Sequence, residues 1–350
     1  MKVLGLMSGS SLDGLDLAYC SFEFKGLELR SWQMYDFIHA PFPPFLVEYL
    51  RDPLSLNPKQ LEDLEIQFTE FMIAVIQDRS KAIDLIGSHG HTIQHLPEQG
   101  ITRQLGLGKR MSAALQVEVV DTFRIQDIKA GGVGTPMAPL ADRDLYPGYE
   151  VYLNIGGIAN ISYQVKGVWH AYDLAPANQI LNHLAQQKGM DYDENGELAE
   201  EGEIIHPLLM KLLSHPYLIK NFPKSLDNTE VKTAWTSLLL EYESEIESTL
   251  HTFCHFLGLV LQRELVPSGI MEGKVLVTGG GVHNDYLMEC LAQHNPGFKF
   301  QKPAEEVINY KEACLIAYAA ACKKLNKPNF IASVTGASED VIGGTIHNSK

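Results

Sequence analysis

The 350-residue sequence predicts an α/β protein of two domains, each with strands and helices alternating around its own sheet. Three observations predict it. Residues 3–24, VLGLMSGSSLDGLDLAYCSFEF, read as strand, small-residue turn, strand. Residues 151–173, VYLNIGGIANISYQVKGVWHAYD, present that arrangement again after a Gly- and Pro-rich break, AGGVGTPMAP, at 130–139. Both stretches are followed by further alternating strands and helices, the pattern of a duplicated fold whose halves face one another across a cleft. The expected first domain is residues 1–129 with a returning segment 314–350, and the second is residues 130–313.

In chain order, Val3, Leu4 and Leu6 form the entering strand, and Leu15, Leu17 and Tyr19 alternate with Asp16, Ala18 and Cys20 on the way out. Between them, Ser8 to Gly14 offers small residues whose backbone N–H groups can turn around an anion. Tight turns have the same composition, and the loop has no Lys, so it is not a Walker A motif. A strand through LELRSWQMYDFIHAPF is expected to stop at PFPPF. Leu61, Leu64, Phe68, Phe71, Met72 and Val75 recur at helical spacing in LEDLEIQFTEFMIAVIQDRSKA. A short strand IDLIGSHG, a helix near Arg110 to Leu115 and the strand VEVVDTF complete the first third.

Beyond the second hairpin, APANQILNHLAQQK reads as a helix with Pro176 near its first turn, and SEIESTLHTFCHFLGLVLQREL as a long apolar helix. GKVLVTGGGVHNDYLMECLAQH is strand, triple glycine, helix, which aims open backbone and a helix N-terminus at a ligand. EACLIAYAAACKKLN is a close-packing helix expected to return to the first domain, and the tail from Pro328 reads as irregular structure or short strands.

Composition narrows the function. A hydrophobic fraction of 45% with 20% charged residues suits a soluble enzyme, and a formal charge of −15 disfavours nucleic acid and anionic membranes as partners. The five cysteines contain no CxxC pair and read as reduced, buried thiols. The apolar run after Lys2 is too short for a secretory segment and no stretch approaches spanning length, so the expected location is cytoplasmic.

The stretches GLMSGSSLDGLD, GSHGHTIQHLP, FRIQDIKAGGVGTPMAPLAD, LNIGGIANIS, TGGGVHN and SVTGA, in this order, resemble the anhydro-N-acetylmuramic acid kinase family of the actin-like ATPase and sugar-kinase superfamily. The resemblance implies a duplicated actin-like, ribonuclease H-like fold with an interdomain cleft. It implies ATP and Mg²⁺ as cofactors and a small-molecule amino sugar as partner. The implied reaction phosphorylates 1,6-anhydro-N-acetylmuramic acid at O6 while water opens the anhydro ring, in peptidoglycan recycling. Relatives are dimers, so a homodimer is expected. The implied phosphate-binding residues are Gly9, Ser10, Ser11, Leu12, Asp13, Gly14, Leu15 and Asp16, opposed by the turn Asn154 to Gly157 with Asn154, Gly156 and Gly157. Gly279, Gly280, Gly281 and Asn284 fall beside the adenosine. Asp173 matches the family's catalytic base for the attacking water.

From the residues alone, Asp173 ends the strand VWHAYD just before a helix, where a base or an ordinary helix-start carboxylate both fit. Asp13 suits a water-mediated Mg²⁺ contact or a turn. His89, His91 and His95 invite a metal, but Gly90 breaks their strand and a ligand-contacting loop is favoured. DYDENG at 191–196 resembles half of a calcium loop but has Gly202 at its twelfth position, so a polar turn is expected. Arg124 with Asp127 is read as a buried ion pair or a substrate contact, and Glu312, heading the Ala-rich helix, as a cleft residue or a cap. Where the family has DTGPGN this chain has DLAPAN, and PKS continues as LDN instead of TGRE. Those departures motivate two alternatives: a catalytically degenerate paralogue that binds nucleotide or muropeptide sugar, or a kinase for another carbohydrate.

Overall fold

A computed structural model describes residues 1–9, 11–77, 83–220, 224–242 and 244–349. Its strands are β1 (Lys2–Met7), β2 (Gly14–Lys25), β3 (Glu28–Pro41), β4 (Leu85–Ser88), β5 (His91–Leu96), β6 (Ile101–Leu105), β7 (Glu118–Asp121), β8 (Val151–Ile155), β9 (Ile158–Val165), β10 (Val168–Pro176), β11 (Gly273–Thr278), β12 (Phe298–Gln301) and β13 (Thr345–His347). The chain divides into two units: Met1–Tyr146 with Asn309–Lys350, and Pro147–Ile308.

The first unit has a six-stranded sheet in the order β13-β7-β4-β1-β2-β3. β1, β2 and β3 form an antiparallel meander, while β4 runs parallel to β1 and β7 parallel to β4. The second unit has a five-stranded sheet, β10-β9-β8-β11-β12, with the same senses: an antiparallel meander of β8, β9 and β10, then β11 parallel to β8 and β12 parallel to β11. Numbering the strands within each of these two sheets gives one order, 3-2-1-4-5, in both, with β13 added at the edge of the first and β5 and β6 pairing apart as a two-stranded sheet. That twice-used order is the duplicated ribonuclease H-like topology of actin-like ATPases expected from the sequence.

Strand alternation sorts the first core onto two faces. Val3, Ala18, Cys20 and Leu85 point to one side, and Leu4, Leu6, Leu17 and Ile86 to the other. The second face is covered by the helix Pro58–Ile76, whose Leu64, Phe68 and Met72 are buried and whose Asn57 and Gln60 make a reciprocal capping box. The expected helix ran on through 78–82, which lie outside the described residues. Against the first face lies the helix Glu305–Lys324, so close that a Cβ at Gly5 would stand 1.9 Å from the Ala313 carbonyl oxygen. Only glycine fits there. The second unit has one core, in which the helix Ile246–Ser268 buries Phe253, Cys254, Phe256, Leu257, Val260 and Leu261.

The structure differs from the sequence-based expectations at several points. The division falls at 146/147 and not at 130, because the helix Ala138–Asp144 packs Leu140 and Ala141 into the first unit's core. The return falls at 308/309, inside the helix Glu305–Lys324, and not at 314. β3 ends at Pro41, in PFPPF, as expected, but the same run also begins a helix, Pro44–Leu50, with Pro44 at the position where its missing N–H costs nothing. Pro176 is the last residue of β10, and the following helix starts at Asn178. Glu312 lies within Glu305–Lys324 and caps nothing. All five cysteines are buried and free.

Candidate active site

In the first unit the opening loop leaves β1 at Met7 and enters β2 at Gly14. Ser8 is buried and hydrogen-bonds His91 Nδ1 through its Oγ at 2.9 Å. Ser11 Oγ donates to Asp13 Oδ1 at 2.6 Å, which holds the exposed carboxylate over the turn. Leu12 takes a left-handed φ of 58° and packs half-buried on the core, and Leu15 is wholly buried. Asp16 meets His39 Nδ1 at 2.8 Å. Burial nevertheless pushes its carboxyl pKa up, and the neighbouring Asp13 adds to this. Ser10 lies outside the described residues.

Beyond this loop, the C-terminal ends of β1, β4 and β7 bring together polar groups from distant stretches of sequence, the edge at which α/β sheets bind ligands. His89, just after β4, is 6% exposed. Its Nε2 accepts from Arg124 Nη2 at 2.9 Å and its Nδ1 donates to the Gly90 carbonyl at 3.1 Å, so the network fixes a neutral ring with the proton on Nδ1. Burial, then the adjacent guanidinium, lowers its pKa to about 3. Among the described residues Arg124 keeps one buried donor, Nε, with no partner, and desolvation lowers its pKa to about 10, offset in part by Glu312. The Glu312 carboxyl is pushed up by its dense protein surroundings although its side chain is solvent-accessible. A guanidinium with a neutral partner and an orphaned donor is suited to an anionic ligand. Asp127 is not its partner: Asp127 accepts from Gly134 N and Thr335 Oγ1, each at 2.8 Å.

The second unit presents the turn between β8 and β9. Asn154 Oδ1 accepts from Thr278 Oγ1 at 3.2 Å, and its Nδ2 donates to Asn160 Oδ1 at 3.3 Å. Asn160 Nδ2 in turn donates to Asp173 Oδ1. The other oxygen, Oδ2, accepts the Leu226 main-chain N–H at 2.8 Å, while Tyr217 Oη donates to the Asp173 carbonyl at 2.6 Å. Asp173 sits at a bulge in β10, between Asp173 and Ala175, so the kink and not a helix N-terminus aims it. Burial raises its pKa, with the Leu226 and Asn160 donors opposing. A carboxylate fixed at both oxygens yet poorly solvated suits a general base. The departures from DTGPGN fall away from it: Leu174, Ala175 and Ala177 are 1%, 0% and 0% exposed and belong to the core. Asn178 Nδ2 donates to the Ile155 carbonyl at 3.1 Å, tying the next helix to the turn.

The glycines sort into two kinds. A Cβ at Gly14 would lie 2.4 Å from the Ala40 carbonyl oxygen, one at Gly279 2.6 Å from that of Ile155, and one at Gly281 2.2 Å from Ile155 Cγ2. Close packing accounts for these three. At Gly9, Gly156 and Gly280 a Cβ would meet no neighbour among the described residues nearer than 3.7, 3.5 and 3.7 Å respectively, which leaves room beside these residues, although the Gly156 carbonyl accepts from Asn178 N at 3.1 Å. Gly157 is intermediate, since a Cβ there would stand 3.0 Å from Gln179 Cγ. Asn284 is absorbed by structure: its Oδ1 caps the helix Asp285–His294 through Leu287 N at 2.8 Å.

Among the described residues no group of three or more His, Cys, Asp or Glu side chains is disposed to hold a metal. His91 and His95 spend their Nδ1 atoms on Ser8 and Thr102. The adjacent carboxylates Asp13 and Asp16 offer the hard oxygens that a largely hydrated Mg²⁺ takes in ones and twos. Asp193 of DYDENG accepts from Leu198 N and Ala199 N, a polar turn as expected. No helix among the described residues is long and apolar enough to cross a membrane.

The family profile described as anhydro-N-acetylmuramic acid kinase matches residues 1–349. An anhydro-N-acetylmuramic acid kinase of Legionella pneumophila (strain Paris) is 33% identical, over 98% of this chain and 97% of its own. One from Shewanella baltica (strain OS185) is 33% identical, over 97% of each. Among solved structures, component A of the (R)-2-hydroxyglutaryl-CoA dehydratase of Acidaminococcus fermentans aligns with 13% identity and a TM-score of 0.45, over 93% of this chain and 100% of its own.

Proposed function

The chain belongs to the anhydro-N-acetylmuramic acid kinase family, and from that premise we propose that its residues transfer the γ-phosphoryl group of ATP to O6 of 1,6-anhydro-N-acetylmuramic acid while water opens the anhydro ring. It is a phosphotransferase of peptidoglycan recycling. Asp173 takes a proton from water, whose oxygen bonds to C1; the C1–O6 bond breaks, and O6 accepts the phosphoryl group as ADP leaves. The product is N-acetylmuramic acid 6-phosphate.

The observation that carries this reading is the Asp173 carboxylate, held at both oxygens by Asn160 and Leu226 and kept basic by burial. The open space beside Gly9, Gly156 and Gly280 is assigned to the nucleotide, where amide N–H groups stabilise phosphate charge. Arg124, with its unpartnered Nε, is assigned to the acidic sugar. Asp13, and Asp16 beside it, would hold Mg²⁺ through water; when bound, the ion neutralises charge on the phosphates. The enzyme is assigned to the cytoplasm and, on the strength of the family resemblance, to a homodimer, and light scattering of the purified protein tests the dimer.

The decisive experiment incubates purified protein with ATP, Mg²⁺ and the anhydro sugar in ¹⁸O-water and follows products by mass spectrometry. One ¹⁸O at C1 of a phosphosugar is expected. Failure to form a phosphosugar, or ¹⁸O found only in inorganic phosphate, defeats the reading.

A further inference from the structure

We propose that Lys224 is a positioning residue for the Asp173 carboxylate, acting by anchoring the segment whose Leu226 main-chain N–H holds it. This rests on Asp173 being the base. Lys224 has a side chain only 5% exposed, and its Nζ meets Glu264 Oε1 at 3.0 Å. The ammonium lies 4.9 Å from the Tyr172 ring centroid and 5.4 Å from that of Tyr217. Tyr172 Oη donates to the second Glu264 oxygen at 2.8 Å, and Tyr163 Oη lies 3.3 Å from Tyr172 Oη. Tyr217 donates to the Asp173 carbonyl, so Lys224 is seated against the two tyrosines that flank the base, one next to it in sequence and the other bonded to it in space.

The chain then delivers Leu226. Leu226 is 7% exposed in the core and its N–H reaches Asp173 Oδ2 at 2.8 Å. On the far side Asn228 Oδ1 accepts from Gln179 Nε2 at 2.7 Å, so the segment is fastened before and after the residue that touches the carboxylate. Among the described residues the charged and titratable groups around this network are Lys224, Glu264, His215, His170 and, on its exposed side, the pair Lys220 and Glu230. His215 Nδ1 accepts the Tyr217 N–H at 3.2 Å, His170 is stacked on Tyr163, and Lys220 lies over the Tyr217 ring at 5.1 Å. A buried ammonium is an expensive way to pack a loop, since an apolar side chain of similar length avoids the desolvation. Its directional contacts with one carboxylate and two ring faces fix the backbone in a way an apolar stem does not.

The test compares Lys224→Met, Lys224→Arg, Glu264→Gln and Asp173→Asn with the native enzyme, in kcat, KM and the pH profile from about 5 to about 9. In Lys224→Met, kcat is expected to fall roughly 10- to 100-fold with KM for ATP unchanged. The acidic limb of its profile moves to higher pH, because Asp173 loses a donor that lowers its pKa. Lys224→Arg keeps the native limb. An unmoved limb in Lys224→Met, whether kcat is retained or falls with the amount of folded protein, overturns the proposal. Should Lys224→Met not fold, Glu264→Gln carries the same expectation and the same refutation. An active Asp173→Asn removes the base itself, whereas an inactive Asp173→Asn beside an unmoved limb in Lys224→Met overturns the positioning role alone.

Discussion

Replacing Gly156 by alanine separates nucleotide binding from folding, because the protein leaves room for the methyl group. A Cβ there would have the Ile158 carbonyl oxygen at 3.5 Å and Asn154 Nδ2 at 3.6 Å, both ordinary contacts, and Gly156 is not in the left-handed region. In such a conformation Gly→Ala stabilises by roughly 0.4–1 kcal/mol through the unfolded chain. If the Gly156 backbone faces phosphate, the methyl displaces one hydrogen bond to a charged oxygen, about 1.5–3 kcal/mol, or roughly 10- to 150-fold in affinity. The expected result is a KM for ATP raised by that factor with a thermal midpoint unchanged or slightly higher. The matched control is Gly279→Ala, where φ is +82° and a Cβ would stand 2.6 Å from the Ile155 oxygen and 2.8 Å from Asn154 Oδ1. Left-handed strain of roughly 1–2 kcal/mol and overpacking of roughly 1–3 kcal/mol predict a loss of about 2–5 kcal/mol in urea melts. Steady-state kinetics and melts on both variants decide the matter. A Gly156→Ala enzyme with native KM and native stability would refute the assignment of this turn to phosphate.

Asp173→Asn is expected to lower kcat by roughly 10²- to 10⁴-fold with nucleotide affinity largely kept, measured by ADP release and by titration calorimetry; a near-native rate excludes it as the base. Folding lowers the pKa of His89 to about 3 and of His91 to about 4, from an ordinary value of 6.5. The unfolded chain therefore binds more protons in that window, so stability falls as pH drops from about 6.5 towards about 4, and melts against pH that stay flat there contradict the buried neutral rings. Gly5→Ala drives a methyl to 1.9 Å from the Ala313 oxygen and 2.7 Å from Ala317 N. The expected loss is about 3 kcal/mol or more, read by denaturant midpoint, and a native midpoint would mean that the helix Glu305–Lys324 does not seat on β1 as closely as described.

Local pattern carried the elements far. Apolar alternation placed β1 and β2, helical spacing placed Pro58–Ile76, and the strand VWHAYD with its acidic end drew attention to Asp173. Local pattern failed where two environments share one composition. Glycines at Gly156 and Gly279 read alike, yet one is open and the other is wedged against Ile155. Arg124 and Asp127, nearby charges of opposite sign, are compatible in sequence with a buried ion pair or a substrate contact, but Asp127 turns to Gly134 and Thr335 while Arg124 reaches His89. Lys224 and Glu264 gave no signal, since a Lys and a Glu forty residues apart are ordinary surface residues until a fold buries them together.

The sequence by itself determined the duplicated α/β plan, the two small-residue turns and the acidic residue at the end of a strand, because periodicity and turn chemistry act over a few residues. Only the tertiary structure decided which glycines stay open, which donors fix Asp173 and which basic groups are buried, because those depend on contacts between segments far apart in the chain. The cost of burying a charge or adding a methyl is set by what lies across the gap, and the neighbours across a gap are chosen by the whole fold.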